Sequence, residues 1–105
     1  MQVEVLGLDT IAVVVVGDSM WPTLRDGDTF QAVPYSNQSI NAGDVVVFND
    51  PTHTSPICVK RVVHVKPEGL FVEGDNPDPT SSNDSHNFGR IARSSILGVV
   101  VDKED

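Results

Sequence analysis

The chain has 105 residues, of which 39% are apolar and 21% are charged. This balance excludes an intrinsically disordered chain, and the length predicts one domain over residues 1–105. The formal net charge of -8 makes nucleic acids and anionic membranes poor partners, because an acidic surface repels their phosphate groups.

The apolar segments are too short to cross a membrane. The longest run, residues 11–16, has the length of a strand, whereas a membrane span needs roughly 18 residues. No basic residue precedes the first apolar stretch, so a secretory signal is not predicted and we expect a cytoplasmic protein. The single cysteine, Cys58, excludes an internal disulfide, and its apolar neighbours predict a small buried side chain.

Valine-rich segments separated by turn residues predict a mainly β protein with twisted, partly coiled sheets and little helix. The predicted strands, in chain order, are residues 11–16, 29–33, 45–48, 57–65, 70–73 and 97–101. A polar loop, residues 74–89, follows the fifth of these strands. A loop of that length in a compact domain is often functional.

Ser19 lies where the first predicted strand ends in a turn, within GDSMWPTLRDGD. A serine at a strand exit can present its hydroxyl group and, with nearby backbone N–H groups, help to form an oxyanion hole. Serine is common in turns for other reasons, so this position alone does not identify a nucleophile. Trp21, two residues later, is either a substrate contact or a core residue under the turn.

Lys60 lies in the apolar segment ICVKRVVHV, which is predicted to be a strand. Side chains alternate between the faces of a strand, so either Lys60 or Arg61 must face apolar surroundings. Burial lowers the pKa of a lysine amine, which then can accept a proton from a serine near neutral pH. The alternative is a lysine at a sheet edge that extends its amine into water.

Several segments together resemble the type I signal peptidase family. GDSMWPTLRDGD resembles its nucleophile box, VKRVV its lysine box, and GDNPDPTSSNDSHNFG its third box, while GDVVVF and LGVVV fit two of its strands. The resemblance extends from about Val13 to Val101. It implies antiparallel sheets of the signal peptidase/LexA-like type.

The resemblance also implies roles for individual residues. Ser19 would attack the scissile carbonyl, Lys60 would take its proton, and Ser82 would orient the lysine amine. The substrate would bind as an extended strand between residues 11–16 and 57–59. Some family members have a hydroxyl donor two residues before the nucleophile, where this chain has Gly17, so backbone groups such as the Ser19 N–H would form the oxyanion hole. The expected apolar pocket for the residue before the cut consists of Val15, Met20, Leu24 and Val59.

The third box departs from the family pattern at two points. His86 replaces the usual arginine, so an ion pair with Asp84 would require a protonated histidine, and two additional residues precede Ser82. Arg61 and Asp75 are expected to form an ion pair. No metal or other cofactor is expected, because a serine and a lysine supply both nucleophile and base, and the histidines lack metal-ligand spacing.

Without a membrane span, the chain resembles in particular the soluble maturation peptidases of nickel-type superoxide dismutase. This resemblance implies a serine endopeptidase whose partner is a precursor protein, from which it removes an N-terminal extension. The alternatives are the soluble part of a type I signal peptidase that cleaves signal peptides, and an inactive relative that binds peptides. A self-cleaving repressor domain of the LexA type is disfavoured, because only 18 residues precede Ser19 and none resemble a DNA-binding module.

Overall fold

The structure is a computed structural model that describes residues 2–6, 10–51, 57–78 and 83–104. In these ranges the elements are β1 Gln2–Leu6, β2 Thr10–Val14, β3 Thr29–Pro34, β4 Val45–Asn49, β5 Ile57–Lys66, β6 Gly69–Glu73, α1 Ser85–Phe88 and β7 Ile96–Glu104. A single 3-10 turn, Arg93–Ser95, leads into β7. None of the helices in this part of the chain is long and apolar enough to cross a membrane.

The strands form one seven-stranded sheet in the order β1-β2-β3-β7-β4-β5-β6. Every pairing of neighbouring strands is antiparallel. The last strand of the chain, β7, lies inside the sheet between β3 and β4. The prediction of a mainly β, antiparallel protein with little helix is therefore confirmed.

Two apolar clusters form the core, and strand alternation distributes side chains between them. On β4, Val45 and Val47 belong to the first cluster, whereas Val46 and Phe48 belong to the second. Because β4 is covered on both faces, its sequence is a continuous apolar run and does not alternate with polar residues. The first cluster also packs the β2 side chains and the turn after them, so it lies directly beneath Ser19.

The six predicted strands are all present, with differences at their ends. β2 stops at Val14, two residues before the predicted end, and β7 continues to Glu104, three residues beyond it. Two elements were not predicted: the edge strand β1 and the helix α1, which lies inside the predicted loop of residues 74–89. Asp84 caps α1 by accepting a hydrogen bond from the His86 amide, and Gly89 ends it at φ 78°.

Candidate active site

Backbone hydrogen bonds fix the entry to the turn that carries Ser19. Beyond the end of β2, the Val15 amide donates to the Asp28 carbonyl at 2.8 Å, and the Val15 carbonyl accepts from the Gly27 amide at 2.9 Å. Gly17 then adopts φ +91°, and its amide donates to Asp26 Oδ1 at 2.8 Å. Three consecutive residues, 26–28, therefore hold the residues that precede Ser19.

Apolar anchors hold the other side of the turn. Met20 and Leu24 are buried in the first core cluster, and the Leu24 amide donates to the Met20 carbonyl at 2.9 Å. Ser19 itself is half-buried, and its neighbours Val16 and Trp21 are 66% and 45% exposed. Trp21 is thus not a core residue, and the turn presents apolar surface to solvent beside the serine.

Lys60 reaches Ser19 from the middle of β5. Its side chain is only 5% exposed, and Nζ donates to Ser19 Oγ at 2.9 Å. Burial lowers the pKa of Lys60, and nearby groups that carry negative charge when ionised, Cys58, Asp84 and Asp50, oppose this in part. The predicted alternation is therefore observed, with Lys60 as the cation that faces the interior.

Asn76, near the start of the third box, binds the turn that carries Ser19, which is called the serine turn below. The Asn76 amide donates to the Ser19 carbonyl at 3.0 Å, and Asn76 Nδ2 donates to the Asp18 carbonyl at 2.8 Å. Both carbonyls are thereby bound to the segment that follows β6. Asn76 was not predicted to have a role, although its place in the Gly-Asp-Asn start of the third box was a signal for one.

An ionic network joins β5, the third box and the serine turn, and it confirms the expected Arg61–Asp75 ion pair. Arg61 Nε and Nη2 donate to the two oxygens of Asp75 at 2.8 and 2.7 Å, and Nη1 donates to the Gly43 carbonyl at 2.7 Å. Burial alone would raise the pKa of Asp75, but hydrogen bonds from Arg61 and Thr23 outweigh it and hold the pKa below its ordinary value. The same ion pair raises the pKa of Arg61.

His86 pairs with a different carboxylate from the one expected. Its Nε2 lies 2.6 Å from Glu73 Oε1, and the ring packs edge-on against Phe71. The Asp84 carboxylate has other partners in this arrangement: Oδ1 accepts from the His86 amide and Oδ2 from the Gly74 amide, at 3.0 and 3.4 Å. The Asp84 carboxylate is used to cap α1.

The remaining predicted site residues are the apolar pocket, the backbone amides of the oxyanion hole, and Ser82. The four expected pocket residues, Val15, Met20, Leu24 and Val59, come together in the first core cluster, each 4% exposed or less. The Gly17 amide is occupied by Asp26, whereas no described residue accepts a hydrogen bond from the Ser19 amide. Ser82 lies outside the described residues.

The expected path of the substrate is partly occupied by the chain itself. β1 pairs with β2 from Leu6↔Thr10 to Gln2↔Val14, so the edge of β2 that β3 leaves open is covered over that length. On β5, β4 pairs with residues 57–61 and β6 only with residues from Arg61 onward. Among the described strands, none pairs with the second edge of residues 57–60.

A polar cavity of about 330 Å³ lies beside the serine turn, bounded by the third box and α1. Its walls include Asn76, Asp84 and the Glu73–His86 pair. Within the ranges given above, no group of three or more histidine, cysteine or acidic side chains is arranged to hold a metal ion.

A half-buried serine hydroxyl in contact with a buried lysine amine, on an antiparallel β scaffold, has the features of a serine peptidase. Residues 5–68 match the family described as signal peptidase, peptidase S26. The match covers more than half of the 105 residues and includes both Ser19 and Lys60, so the chain belongs to this family of serine peptidases. A comparison with curated proteins found no match.

Proposed function

We propose that this chain is a serine endopeptidase in which Ser19 is the nucleophile and Lys60 the general base. The observation that carries the proposal is the 2.9 Å contact between Lys60 Nζ and Ser19 Oγ, made by an amine that is almost completely buried. A burial-lowered pKa favours the neutral amine, whose lone pair can accept the serine proton. Membership of a serine peptidase family supports the same roles.

In this mechanism Ser19 Oγ forms a bond to the scissile carbonyl carbon while its proton moves to Lys60 Nζ. The ammonium then gives that proton to the leaving amine as the peptide C–N bond breaks, which leaves an acyl-enzyme. The neutral amine next takes a proton from water as the water oxygen attacks the ester carbonyl carbon. The ammonium returns that proton to Ser19 Oγ as the bond between Oγ and the acyl carbon breaks, which releases the carboxylic acid product and restores the free serine and the neutral lysine. The Ser19 amide is our candidate oxyanion donor, since it makes no hydrogen bond to the described residues.

Two finer assignments follow from the family resemblance and remain part of the proposal. Ser82 would orient the Lys60 amine, in the way the third box implies. Val15, Met20, Leu24 and Val59 would form the apolar wall that contacts the residue before the cut. Because each of these side chains is 4% exposed or less, they offer little contact area to a peptide, which favours a small side chain at that substrate position.

The substrate we propose is a precursor protein with an N-terminal extension, specifically the precursor of nickel-type superoxide dismutase. Support for the dismutase is the resemblance to the soluble maturation peptidases, whereas the site itself favours only an extended peptide. Cleavage of signal peptides is the second candidate, favoured by the family match. The cytoplasmic location expected from the sequence also stays a prediction.

The test is cleavage of a nickel-dismutase precursor and of a signal-peptide substrate by purified protein, followed by mass spectrometry. Ser19→Ala and Lys60→Met should each lower kcat/KM by at least about a thousandfold. In the wild type, kcat/KM should rise with pH as Lys60 loses its proton, at a pH below the ordinary lysine value of 10.5.

The possible outcomes distinguish the proposed mechanism from the proposed substrate. Cleavage of the dismutase precursor that depends on both residues would support mechanism and substrate together. Cleavage of the signal peptide alone would retain the mechanism and reject the maturation role. Binding without cleavage of either substrate would identify an inactive relative that holds peptides.

A further inference from the structure

Two ionisable side chains of opposite charge are buried in the part of the chain that the structure describes. Asp50 is 4% exposed and Lys60 is 5% exposed. An unpaired ion in a protein interior costs several kcal/mol, so buried ions are retained where they interact with each other or with a hydrogen-bonding group. The mechanism proposed above uses Lys60 and leaves Asp50 without a role.

The strand register places Asp50 beside the start of β5, on the side of Cys58 away from Lys60. Asp50 directly follows β4, whose last residues pair with the start of β5 as Phe48↔Cys58 and Asn49↔Ile57. Cys58 and Lys60 are two residues apart on β5, so their side chains share a face of that strand. Cys58 therefore lies between the carboxylate that ends β4 and the amine at the middle of β5.

In the hydrogen bond between Asp50 and Cys58, the thiol is the donor and the carboxylate is the acceptor. Burial raises the pKa of the Cys58 thiol, and the Asp50 carboxylate raises it further by its charge and by a hydrogen bond. The thiol thus keeps its proton and donates a hydrogen bond to the Asp50 carboxylate. Asp50 also favours the protonated form of Lys60, against the effect of burial.

We propose that Asp50 is a positioning residue for Lys60, held by the Cys58 thiol, that provides the counter-charge for the ammonium group formed when Ser19 loses its proton. This inference rests on the serine–lysine mechanism proposed above. Proton transfer from Ser19 Oγ to Lys60 Nζ creates a positive charge in a buried position. A carboxylate that is already fixed in position lowers the free energy of the buried ammonium group, and it does not have to move during the reaction.

The groups that act on Lys60 from the elements around it are Ser19, Cys58, Asp50 and Asp84. Asp84 is the other carboxylate among them, but its oxygens accept hydrogen bonds from two backbone amides, that of His86 at the start of α1 and that of Gly74 after β6. Part of its charge is therefore balanced by those dipoles. Asp84 raises the pKa of Lys60 more than Asp50 does, but its removal would also remove the cap of α1, so Asp50 is the carboxylate whose effect on Lys60 can be tested without loss of that cap.

The direct test is the titration of Lys60 by NMR with carbon-13 at the lysine Cε. The chain has only three lysines, Lys60, Lys66 and Lys103, so the Lys60 signal can be assigned with Lys60→Met. Asp50→Asn should move the Lys60 titration to lower pH. Glu68→Gln removes the same charge from an exposed turn and should leave that titration unchanged. An unchanged Lys60 titration in folded Asp50→Asn would overturn the proposal.

Activity provides the second measurement. In Asp50→Asn the acid limb of the kcat/KM profile should move to lower pH, and the plateau kcat should fall by about tenfold. If the activity of Asp50→Asn falls but the acid limb of its kcat/KM profile stays at the wild-type pH, Asp50 has only a structural role. If Asp50→Asn does not fold, the wild type carries the test. Its Lys60 signal should show a second inflection where the Asp50 carboxyl titrates, and its absence would reject the coupling.

The NMR result is independent of whether any peptide is cleaved. A perturbed, Asp50-dependent Lys60 in a protein that cleaves nothing would reject the proposed function and retain the coupling. Activity that requires Ser19 and Lys60 but is indifferent to Asp50 would retain the function and reject the coupling.

Discussion

Gly17 combines an unusual backbone angle with a position two residues before the proposed nucleophile. At φ +91° an L side chain is strained, although a Cβ there would meet no atom within 4 Å. We therefore expect Gly17→Ala to lower the free energy of unfolding by about 1–2 kcal/mol through backbone strain alone. Urea denaturation followed by circular dichroism would measure this loss.

Asparagine provides the matched control at this position. It tolerates positive φ better than alanine, as Asn37 shows in this chain at φ 69°. Gly17→Asn should therefore lose less stability than Gly17→Ala. Equal losses in the two variants would argue against backbone strain and in favour of a steric or solvation effect.

At the scale of single residues, the sequence predicted what depends on local pattern. Alternation on β5 predicted that either Lys60 or Arg61 would face apolar surroundings, and the family resemblance then selected Lys60 and Ser19. Asn76 and Asp50 were not predicted, because their partners are set by how the chain returns to the turn and to β5. The periodicity of a segment does not predict which distant loop will donate hydrogen bonds to its carbonyls. Such contacts can be found only once the fold is known.

At the scale of elements, the Arg61–Asp75 pair holds the third box to β5, and its contribution should depend on pH. The folded-state pKa of Asp75 lies below its ordinary value, so its stabilising effect is present at neutral pH and is lost as pH falls through the folded-state value. We expect Asp75→Asn to cost about 1–2 kcal/mol at pH 7, a modest value because Arg61 is partly exposed.

The same comparison at low pH tests the ionic origin of that cost. Below the folded-state pKa, both aspartic acid and asparagine are neutral, so the difference in urea midpoint between wild type and Asp75→Asn should shrink toward zero. Glu68→Gln, in the exposed turn between β5 and β6, should show no loss at pH 7. A cost that stays the same at both pH values would indicate packing as the cause.

Strands that contain runs of apolar residues were predicted from the sequence, whereas the short elements β1 and α1 were not. Valine runs identified β2, β4, β5 and β7, because a buried strand needs several adjacent apolar residues. β1 alternates polar and apolar residues over only five positions, QVEVL, and α1 has four residues. The signals for α1 were Asp84 and Gly89 at its ends, which in a polar loop are indistinguishable from turn residues.

At the scale of the whole molecule, the order of strands differs from their order in the chain. β7 is the last strand in sequence, yet it joins β3 to β4 in the middle of the sheet. β1 is the first strand and has one partner, β2. The valine pattern of β7 predicted a strand but not its place, because strand order depends on pairing between distant segments.

These positions predict opposite results for two truncations. Removal of residues 96–105 takes away the strand that links the two halves of the sheet, so we expect no cooperative unfolding transition. Removal of residues 1–9 takes away one edge strand, so the remaining six-stranded sheet should unfold cooperatively with a lower midpoint. Circular dichroism during urea denaturation would compare the two proteins.

The shorter N-terminal truncation also tests where the substrate binds. β1 covers the edge of β2 that leads toward Val16 and the Ser19 turn, so its removal opens that edge to an extended peptide. If the substrate adds a strand there, KM should fall in the truncated protein while the dependence on Lys60 is retained. An unchanged KM would mean that the peptide uses only the second edge of residues 57–60, and that β1 and the substrate occupy separate places.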